Sequence, residues 1–188
     1  MTRKKILLLL TICCCCLMAT AQLPQRQVAP PSEPSRVNSV FLGVSGGLSI
    51  PFSFIAETQS LGGFGQADVF VFVTKNITVG VDFAYHYFPG KGNLSDIAMQ
   101  EVLINGAFYF NSSWNPHVSL GLGYYGEPGT SHFGMVPGFG IMPKIANRVY
   151  LKAKGSAAFF NMDGHFFKIE AGVAFMVFQH KPIKRQWL

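Results

Sequence analysis

A histidine and a serine two residues apart, His117 and Ser119, form a pair whose side-chain types could do chemistry together. In an extended strand both side chains point to the same face, because the side-chain period of a strand is two residues. A histidine can accept the proton of a serine hydroxyl, and a carboxylate such as Glu101 could orient the imidazole. The pattern is compatible with nucleophilic catalysis, provided that the strand presents both groups to a substrate.

Other motifs with possible chemistry carry less information. Residues 121–126, GLGYYG, match the GxGxxG pattern, but no helical segment and no suitably spaced acidic residue follow them. Asp82 and His86 share a strand face, yet they lie about 13 Å apart by strand rise. His132 and His165 could bind a metal together, but no ligand spacing indicates one. We therefore predict no catalytic residue, no cofactor and no metal site.

The N-terminus has the three parts of a secretory signal peptide. Three cations at positions 3–5 precede an apolar stretch at 6–18, and Ala-Thr-Ala at 19–21 is a small-residue cleavage site. The apolar stretch is shorter than the ~20 residues that a spanning helix needs, so we predict that residues 1–21 are removed. All four cysteines lie in this segment, which leaves the mature chain without a disulfide or a cysteine metal site.

Two further segments flank the predicted folded region. Residues 22–38 contain four prolines and few apolar side chains, so we predict a Pro-rich disordered linker. Residues 179–188 form a basic tail, which we place in the periplasm. Loss of the three cations of the leader lowers the formal net charge from +6 to +3, an excess too small to indicate a nucleic-acid partner.

From Ser39 onward the chain divides into eight segments of strand type, separated by Gly, Asn, Pro, Asp and Ser clusters. Each segment reaches the ~9–11 residues of a tilted membrane-spanning strand, and no segment has the periodicity of a helix. Pro137 predicts a bend or bulge in the sixth strand. The predicted strands are 39–53, 65–75, 77–88, 96–110, 116–126, 133–144, 148–160 and 166–178.

The alternation within these strands separates apolar from polar faces. In residues 77–87, ITVGVDFAYHY, every odd position is apolar or aromatic and every even position is small or polar. In a membrane barrel the apolar face meets lipid and the polar face lines the lumen, whereas in a soluble sandwich the charged faces meet water. The polar faces are rich in glycine, which leaves room for long side chains inside a small barrel, although ordinary solvated charges remain the alternative. We therefore predict a polar network in the lumen, formed by Asp68, Asp82, His86, Glu101, Arg148, Lys152, Lys154, Lys168 and Glu170.

The links between the strands indicate how the barrel is oriented. Links after the second, fourth and sixth strands are short, and those after the odd-numbered strands are mostly longer. Short turns on the periplasmic rim and longer loops outside are typical of outer-membrane barrels. The predicted fold is therefore all-β: an eight-stranded antiparallel up-and-down transmembrane β-barrel over residues 39–178, preceded by a cleaved signal peptide.

This pattern resembles the OmpA/OmpX-like family of small outer-membrane β-barrels. The last strand also resembles the signal that the barrel insertion machinery reads, with Glu170, Gly172, Phe175 and Val177 at the corresponding positions, although residues follow Phe178 here. The resemblance implies a monomer in the bacterial outer membrane, in contact with outer-membrane lipid, that meets the insertion machinery during assembly.

Barrels of eight strands are just wide enough to be filled by side chains, so we predict a structural or interaction role rather than a wide pore. The envelope or extracellular partner is unknown. One alternative is a lipid-modifying enzyme of the lipid A deacylase type, whose site the His117–Ser119 pair resembles in part. That pair, however, falls at the predicted periplasmic end, away from the outer leaflet. The other alternative is a secreted lipocalin-like ligand carrier, but the early Gly-x-Trp signature of that family is missing.

Overall fold

A computed structural model describes residues 36–53, 55–127, 129–160 and 164–179 of the chain. These residues form nine strands and one helical turn, joined by links. The elements are β1 (Ser39–Ser53), α1 (Ile55–Thr58), β2 (Gly62–Phe72), β3 (Ile77–Phe88), β4 (Ile97–Tyr109), β5 (His117–Glu127), β6 (Thr130–Ile141), β7 (Lys144–Ala146), β8 (Val149–Phe160) and β9 (Gly164–Gln179). In the described part of the chain, no helix has the length and apolar character that crossing a membrane requires.

Eight of the strands close into a barrel in which every neighbouring pair is antiparallel. β1 to β6 pair in sequence order, β6 pairs with β8, and β9 pairs with both β8 and β1. The short β7 lies outside the ring and forms a hairpin with β8. Closure leaves the eight strands without a free edge, which is the condition for a sheet to cross a membrane. The predicted eight-stranded antiparallel barrel is confirmed.

The alternation of the sequence sets the two sides of this wall. Along β5, Val118, Leu120, Leu122 and Tyr124 are exposed on the outside, and the residues between them point inward. The same rule holds on the other ring strands, so the outside of the barrel is an apolar belt while the polar side chains face the lumen. Apolar side chains that are exposed in a repeating belt need a solvent other than water.

Two strands begin and end earlier than the alternation predicts. β2 ends at Phe72 because Thr74 organises a turn: its hydroxyl accepts hydrogen bonds from the backbone amides of Asn76 and Ile77. β6 ends at Ile141 because the amide of Met142 donates to the neighbouring 110–116 link instead of to a strand. Turn chemistry therefore overrides β-propensity at both ends.

The ladder between β6 and β8 has a gap at its centre. The register pairs Gly134 and Met135 with β8, skips Val136 and Pro137, and resumes at Gly138 without a shift. On its other side, Pro137 pairs with Leu120 of β5 in an unbroken ladder. Proline has no backbone N–H to donate, so the rung that it would make toward β8 is missing. The disturbance predicted at Pro137 is therefore a missing rung and not a bulge.

Both ends of the described barrel chain lie at one rim, called here the terminal rim, where Ser39 pairs with Gln179. The links 73–76, 110–116 and 142–148 lie at this rim. At the opposite rim, links 54–61 and 89–96 are longer, but 128–129 and 161–163 are very short because β5, β6 and β9 extend beyond their predicted bounds at this rim. The predicted difference in loop length is thus limited to the first half of the barrel.

Parts of three predicted segments lie outside the described residues: all of the signal peptide 1–21, the linker up to residue 35, and the basic tail beyond residue 179. The described ends of the linker and tail are ordered against the barrel. Gln179 is the last residue of β9 and pairs with Ser39, and the amide of Asn38 donates to the carbonyl of Phe72 at 2.7 Å. The structure therefore describes only the last three residues of the predicted linker and the first residue of the predicted tail.

Candidate functional site

The inside of the barrel is divided into an ionic middle and two aromatic layers. The terminal aromatic layer, at the terminal rim, holds Phe41 at the centre of a cluster of rings, 5.0 Å from Phe70 and 5.2 Å from Tyr150 between centroids. The opposite aromatic layer includes Phe88 and Phe166, whose rings lie 5.3 Å apart. Aromatic rings fill the lumen of a small barrel efficiently because each buries 150–250 Å². The remaining members are Phe72, Tyr109, Met142, Ala174 and Met176 in the terminal layer, and Met99, Leu103, Tyr125, Val136 and Ala158 in the opposite one.

Five polar side chains form a first ionic cluster next to the opposite aromatic layer. Lys168 Nζ lies 2.6 Å from Glu101 Oε1, and His86 Nε2 lies 3.2 Å from Glu101 Oε2. Because an ionised carboxylate only accepts, His86 Nε2 donates to Glu101, and His86 Nδ1 is 3.0 Å from the hydroxyl of Ser49. Lys168 also donates to Gln66 at 3.3 Å. All of these side chains are buried, so their hydrogen bonds to one another replace the hydrogen bonds that water would otherwise provide.

A second ionic cluster lies nearer to the terminal rim. Lys152 pairs with Asp68 and lies 3.4 Å from Glu170 Oε1, which also accepts from the hydroxyl of Ser45 at 3.2 Å. Glycine makes room for this cluster, since a Cβ at Gly43 would come within 2.4 Å of an oxygen of Asp68. The small residue expected on the lumen face is therefore required by the size of the ion pair beside it.

Two more predicted residues, Asp82 and Lys154, lie beside this second cluster. Asp82 accepts a hydrogen bond from Asn105 Nδ2 at 3.0 Å, and Asp82 and Lys154 both line a small cavity next to the second cluster. Within the described residues, no Lys, Arg or His nitrogen lies within 4.0 Å of Asp82. Asp82 and His86, which share a strand face, belong to different clusters.

One predicted lumen residue is misplaced. Arg148 lies in the turn between β7 and β8, is exposed, and has a backbone φ of 63°. The predicted seventh strand begins at Arg148, whereas in the structure Arg148 still belongs to the turn and β8 begins at Val149. The side chain of Arg148 therefore lies outside the lumen. Arg36 occupies the terminal rim instead, with its guanidinium 5.3 Å from the ring centroid of Tyr150 and 2.9 Å from Asn115 Oδ1. Alternation cannot predict this position, because Arg36 precedes the first strand.

The triad suggested by His117, Ser119 and Glu101 is not assembled. His117 stacks on Tyr109 in the terminal half of the lumen, with ring centroids 4.6 Å apart. Glu101 belongs to the first ionic cluster, next to the opposite aromatic layer. Glu101 instead completes a serine–histidine–carboxylate arrangement with His86 and Ser49, which sequence spacing alone did not suggest because these residues come from three strands.

The Ser49–His86–Glu101 arrangement has the connectivity of a catalytic triad but not its access. The stacked rings of Phe64 and Phe88 lie 5.2 Å and 6.2 Å from the His86 ring, and Phe166 lies 5.0 Å from it. A nucleophile needs space for a reacting carbonyl and donors for its oxyanion. Because aromatic rings enclose this imidazole and the serine is fully buried, the arrangement acts as a structural polar chain.

A cavity of about 40 Å³ separates the second ionic cluster from the terminal aromatic layer. Its wall includes Asp82, Asn105, Ser119, Lys154 and Tyr109. A water molecule needs roughly 10–15 Å³ of such volume, so the space suits an ion or a few waters and excludes an acyl chain.

Outside the barrel wall, two loops of the opposite rim are tied to each other. Gln59 pairs with Gly90, and the amide of Lys91 donates to the carbonyl of Thr58 at 2.9 Å. The exposed carboxylate of Asp96 fixes the base of the second loop. Hydrogen bonds from the hydroxyl of Tyr87 and from the amide of Gly90 hold the pKa of Asp96 below its ordinary value.

No protein-family model matches the chain, and no curated protein matches it in sequence. Solved structures do match its backbone. Neisserial surface protein A is 13% identical, with a TM-score of 0.60 over 73% of this chain and 96% of that one. The fold is that of the small outer-membrane β-barrels.

Two further outer-membrane barrels share this fold. The N-terminal β-barrel domain of OprF from Pseudomonas aeruginosa is 15% identical, with a TM-score of 0.51 over 74% of this chain and 97% of that one. Ail, the attachment invasion locus protein of Yersinia pestis, is 13% identical, with a TM-score of 0.53 over 74% of this chain and 98% of that one. At such identities the similarity extends to the fold and to no individual residue.

Proposed function

We propose that this protein is a monomeric β-barrel of the bacterial outer membrane with a structural or interaction role, a closed lumen and no enzymatic activity. The observation that carries the proposal is the distribution of polarity, which is the reverse of that in a soluble protein: the outside is a continuous apolar belt, and ion pairs are buried inside. Water is a poor solvent for that exterior, whereas lipid satisfies it without any rearrangement of the wall.

The filled lumen supports a role other than transport. The terminal and opposite aromatic layers lie across the lumen on either side of the two ionic clusters, and their largest side chains are fully buried. A solute that crossed would have to displace several packed rings. We therefore propose that the barrel does not conduct solutes, and a planar-bilayer recording should show no conductance steps.

Two arguments support the absence of catalysis. The Ser49 hydroxyl is enclosed by aromatic rings, and Ser119 faces a cavity too small for a lipid chain. We expect Ser49→Ala and Ser119→Ala to leave the lipid A composition of the host unchanged. A shift in lipid A acylation on replacing either serine would instead support the lipid-modifying alternative.

The same proposal gives the barrel its surroundings. The apolar belt contacts outer-membrane lipid, and the last strand, with Glu170, Gly172, Phe175 and Val177, is the segment that the insertion machinery engages during assembly. The terminal rim faces the periplasm, and the tied loops 54–61 and 89–96 face outward, where they can meet an envelope or extracellular partner. Attachment, the role in the name of Ail, is one form that such an interaction takes.

The location and orientation are tested together by labelling intact cells. The sequence has no cysteine beyond Cys16, so a single cysteine introduced at Asn93 or Asn147 provides the reactive thiol. Both asparagines are exposed, Asn93 in the 89–96 loop and Asn147 at the terminal rim. A membrane-impermeant maleimide should label N93C and spare N147C, with both labelled after lysis.

Fractionation is the companion measurement. The protein should remain with the outer membrane and migrate differently on a gel before and after boiling. Recovery in the soluble periplasmic fraction, or equal labelling of both cysteines on intact cells, would contradict the proposal and return attention to the soluble lipocalin-like alternative.

A further inference from the structure

The ionic cluster nearer to the terminal rim carries an unbalanced charge. It contains three carboxylates, Asp68, Asp82 and Glu170, but only two ammonium groups, Lys152 and Lys154. Glu101 is neutralised separately by Lys168, so it does not draw on these two lysines. A buried charge without a counter-charge is costly, so a lumen closed by aromatic layers favours a further positive charge beside this cluster.

Among the described residues, Asp82 is the carboxylate of this cluster that has no ion-pair partner and is repelled by a neighbouring carboxylate. It lies directly opposite Asp68 in the β2–β3 register, on the same inner face. Lys152 forms ion pairs with Asp68 and Glu170. Within the described residues, the carboxylate of Asp82 accepts one side-chain hydrogen bond, from Asn105 Nδ2, and forms no ion pair. Two carboxylates paired across neighbouring strands repel each other, so Asp82 is where a cation gains most.

The cavity beside Asp82 supplies both space and ligands. Asn105 Oδ1 and the hydroxyl oxygen of Ser119 are buried and have no hydrogen-bond partner within the described part of the chain. Ser119 is 9% exposed, and both residues line the cavity together with Asp82. Carboxylate, amide and hydroxyl oxygens are the ligands that hard cations prefer. A volume of about 40 Å³ holds such an ion together with a water molecule.

We propose that this cavity binds one small monovalent cation, with Na⁺ as the probe, between Asp82, Asn105 and Ser119. A single positive charge neutralises the cluster, whereas a divalent ion would reverse its sign beside Lys154. A proton on Asp82, or on the His117 imidazole that also lines the cavity, would neutralise the charge as well, but it would leave at least one of the two partnerless oxygens unsatisfied. This inference concerns the inside of the barrel and stands apart from the location of the protein.

The test measures thermal unfolding of the mature protein after refolding in zwitterionic detergent. Refolding is carried out in NaCl or in N-methylglucamine chloride at equal ionic strength, so that the closed lumen forms in the chosen salt. A ligand that binds only the folded state raises the unfolding midpoint with the logarithm of its concentration. We expect a rise of about 4 °C per tenfold increase in Na⁺ above the dissociation constant, and none with N-methylglucamine.

Matched substitutions locate the effect. D82N removes the excess charge, so it should fold without Na⁺ and show no dependence on Na⁺. D96N removes an exposed carboxylate of the outer loops and should keep the full dependence. Equal midpoints in the two salts for the wild-type protein, or a Na⁺ dependence that survives D82N, would overturn the proposal.

A second measurement does not depend on the stability of a variant. High-resolution diffraction from crystals of the wild-type protein grown in NaCl should show an ion beside Asp82, with contacts to the Asn105 and Ser119 oxygens that are shorter than hydrogen bonds. Diffraction that shows only water in the cavity, together with a midpoint that responds to pH and not to Na⁺, would assign the missing positive charge to a proton and refute the cation site.

Discussion

At the scale of single residues, the ion pair between Lys168 and Glu101 is the most consequential contact of the lumen. The two groups are 2.6 Å apart, and both side chains are almost completely inaccessible. Breaking such a pair from one side leaves a buried charge without a partner, which costs more than the pair itself contributes. The same reasoning makes removal of both charges milder than removal of one.

We therefore expect Glu101→Gln to lower the free energy of unfolding by about 3–5 kcal/mol. The double substitution Glu101→Gln with Lys168→Met should recover a large part of that loss. Denaturant unfolding in lipid vesicles measures both, with exposed Glu57→Gln as a control that changes stability by less than about 0.5 kcal/mol. Additive losses in the double variant would show that the two charges do not interact.

Asp96 gives a second prediction at this scale, on the pH dependence of the outer loops. Hydrogen bonds from Tyr87 and Gly90 lower the pKa of Asp96 in the folded protein below its ordinary value of 3.8. Its contribution to loop order is therefore present above the unfolded pKa and is lost as the pH falls through the lower folded value. The Gly90 amide resonance should titrate with a midpoint below 3.8, and the titration should vanish in Asp96→Asn. A midpoint above 3.8 would contradict the assigned hydrogen bonds.

At the scale of elements, the β6–β8 pair is the weakest seam of the described wall. Its ladder lacks the rungs at Val136 and Pro137, whereas the β5–β6 ladder runs through Pro137 without a break. Because Pro137 cannot donate toward β8, a residue with an N–H at this position restores a backbone hydrogen bond.

We expect Pro137→Val to raise the free energy of unfolding by roughly 1 kcal/mol, the net value of one hydrogen bond. It should also slow amide exchange in β6 and β8. Exchange followed by mass spectrometry measures the second effect peptide by peptide, and the β2–β3 peptides should be unchanged. A stability loss in Pro137→Val would mean that the proline relieves a strain that valine cannot.

The number, direction and two faces of the strands could be predicted from the period-two alternation. The alternation is regular because every second residue of a strand contacts lipid and must be apolar. The ends of β2 and β6 do not follow from it, because Thr74 and the amide of Met142 make local bonds that alternation ignores. The predicted lumen position of Arg148 is wrong for the same reason, because a hairpin turn places this residue outside the strand.

The pairing of lumen charges depends on the stagger of the strands, which no single strand contains. Sequence alternation predicted that Asp68, Glu101, Lys152, Lys168 and Glu170 face inward, and the structure brings these five into ion pairs. It did not predict which carboxylate meets which lysine, nor that Ser49 would meet His86. Alternation also did not predict that Phe41, Phe70 and Phe72 close the lumen at the terminal rim, because it separates the two faces of a strand and does not show which side chains meet across the barrel.

At the scale of the whole molecule, stability in lipid should depend on the depth of a substitution along the belt. Ile104, 67% exposed at the middle of β4, lies where the hydrocarbon should be deepest. Ile145, 58% exposed, lies in β7 at the terminal rim. The two isoleucines have similar exposure, so they separate the effect of lipid from that of exposure.

We expect Ile104→Arg to cost about 2–4 kcal/mol in vesicles and Ile145→Arg only about 0–1 kcal/mol. Reversible unfolding in vesicles measures both values. Equal and small costs would indicate that water, and not lipid, surrounds the middle of the barrel.

The most direct test of the inside-out arrangement is the environment of consecutive positions on one strand. Single cysteines at Val102, Leu103, Ile104 and Asn105, each carrying a nitroxide label in vesicles, report collision with apolar oxygen and with a polar nickel complex. We predict high oxygen accessibility at 102 and 104, and low accessibility to both reagents at 103 and 105. Collision with the nickel complex that exceeds collision with oxygen at 102 and 104 would contradict the account.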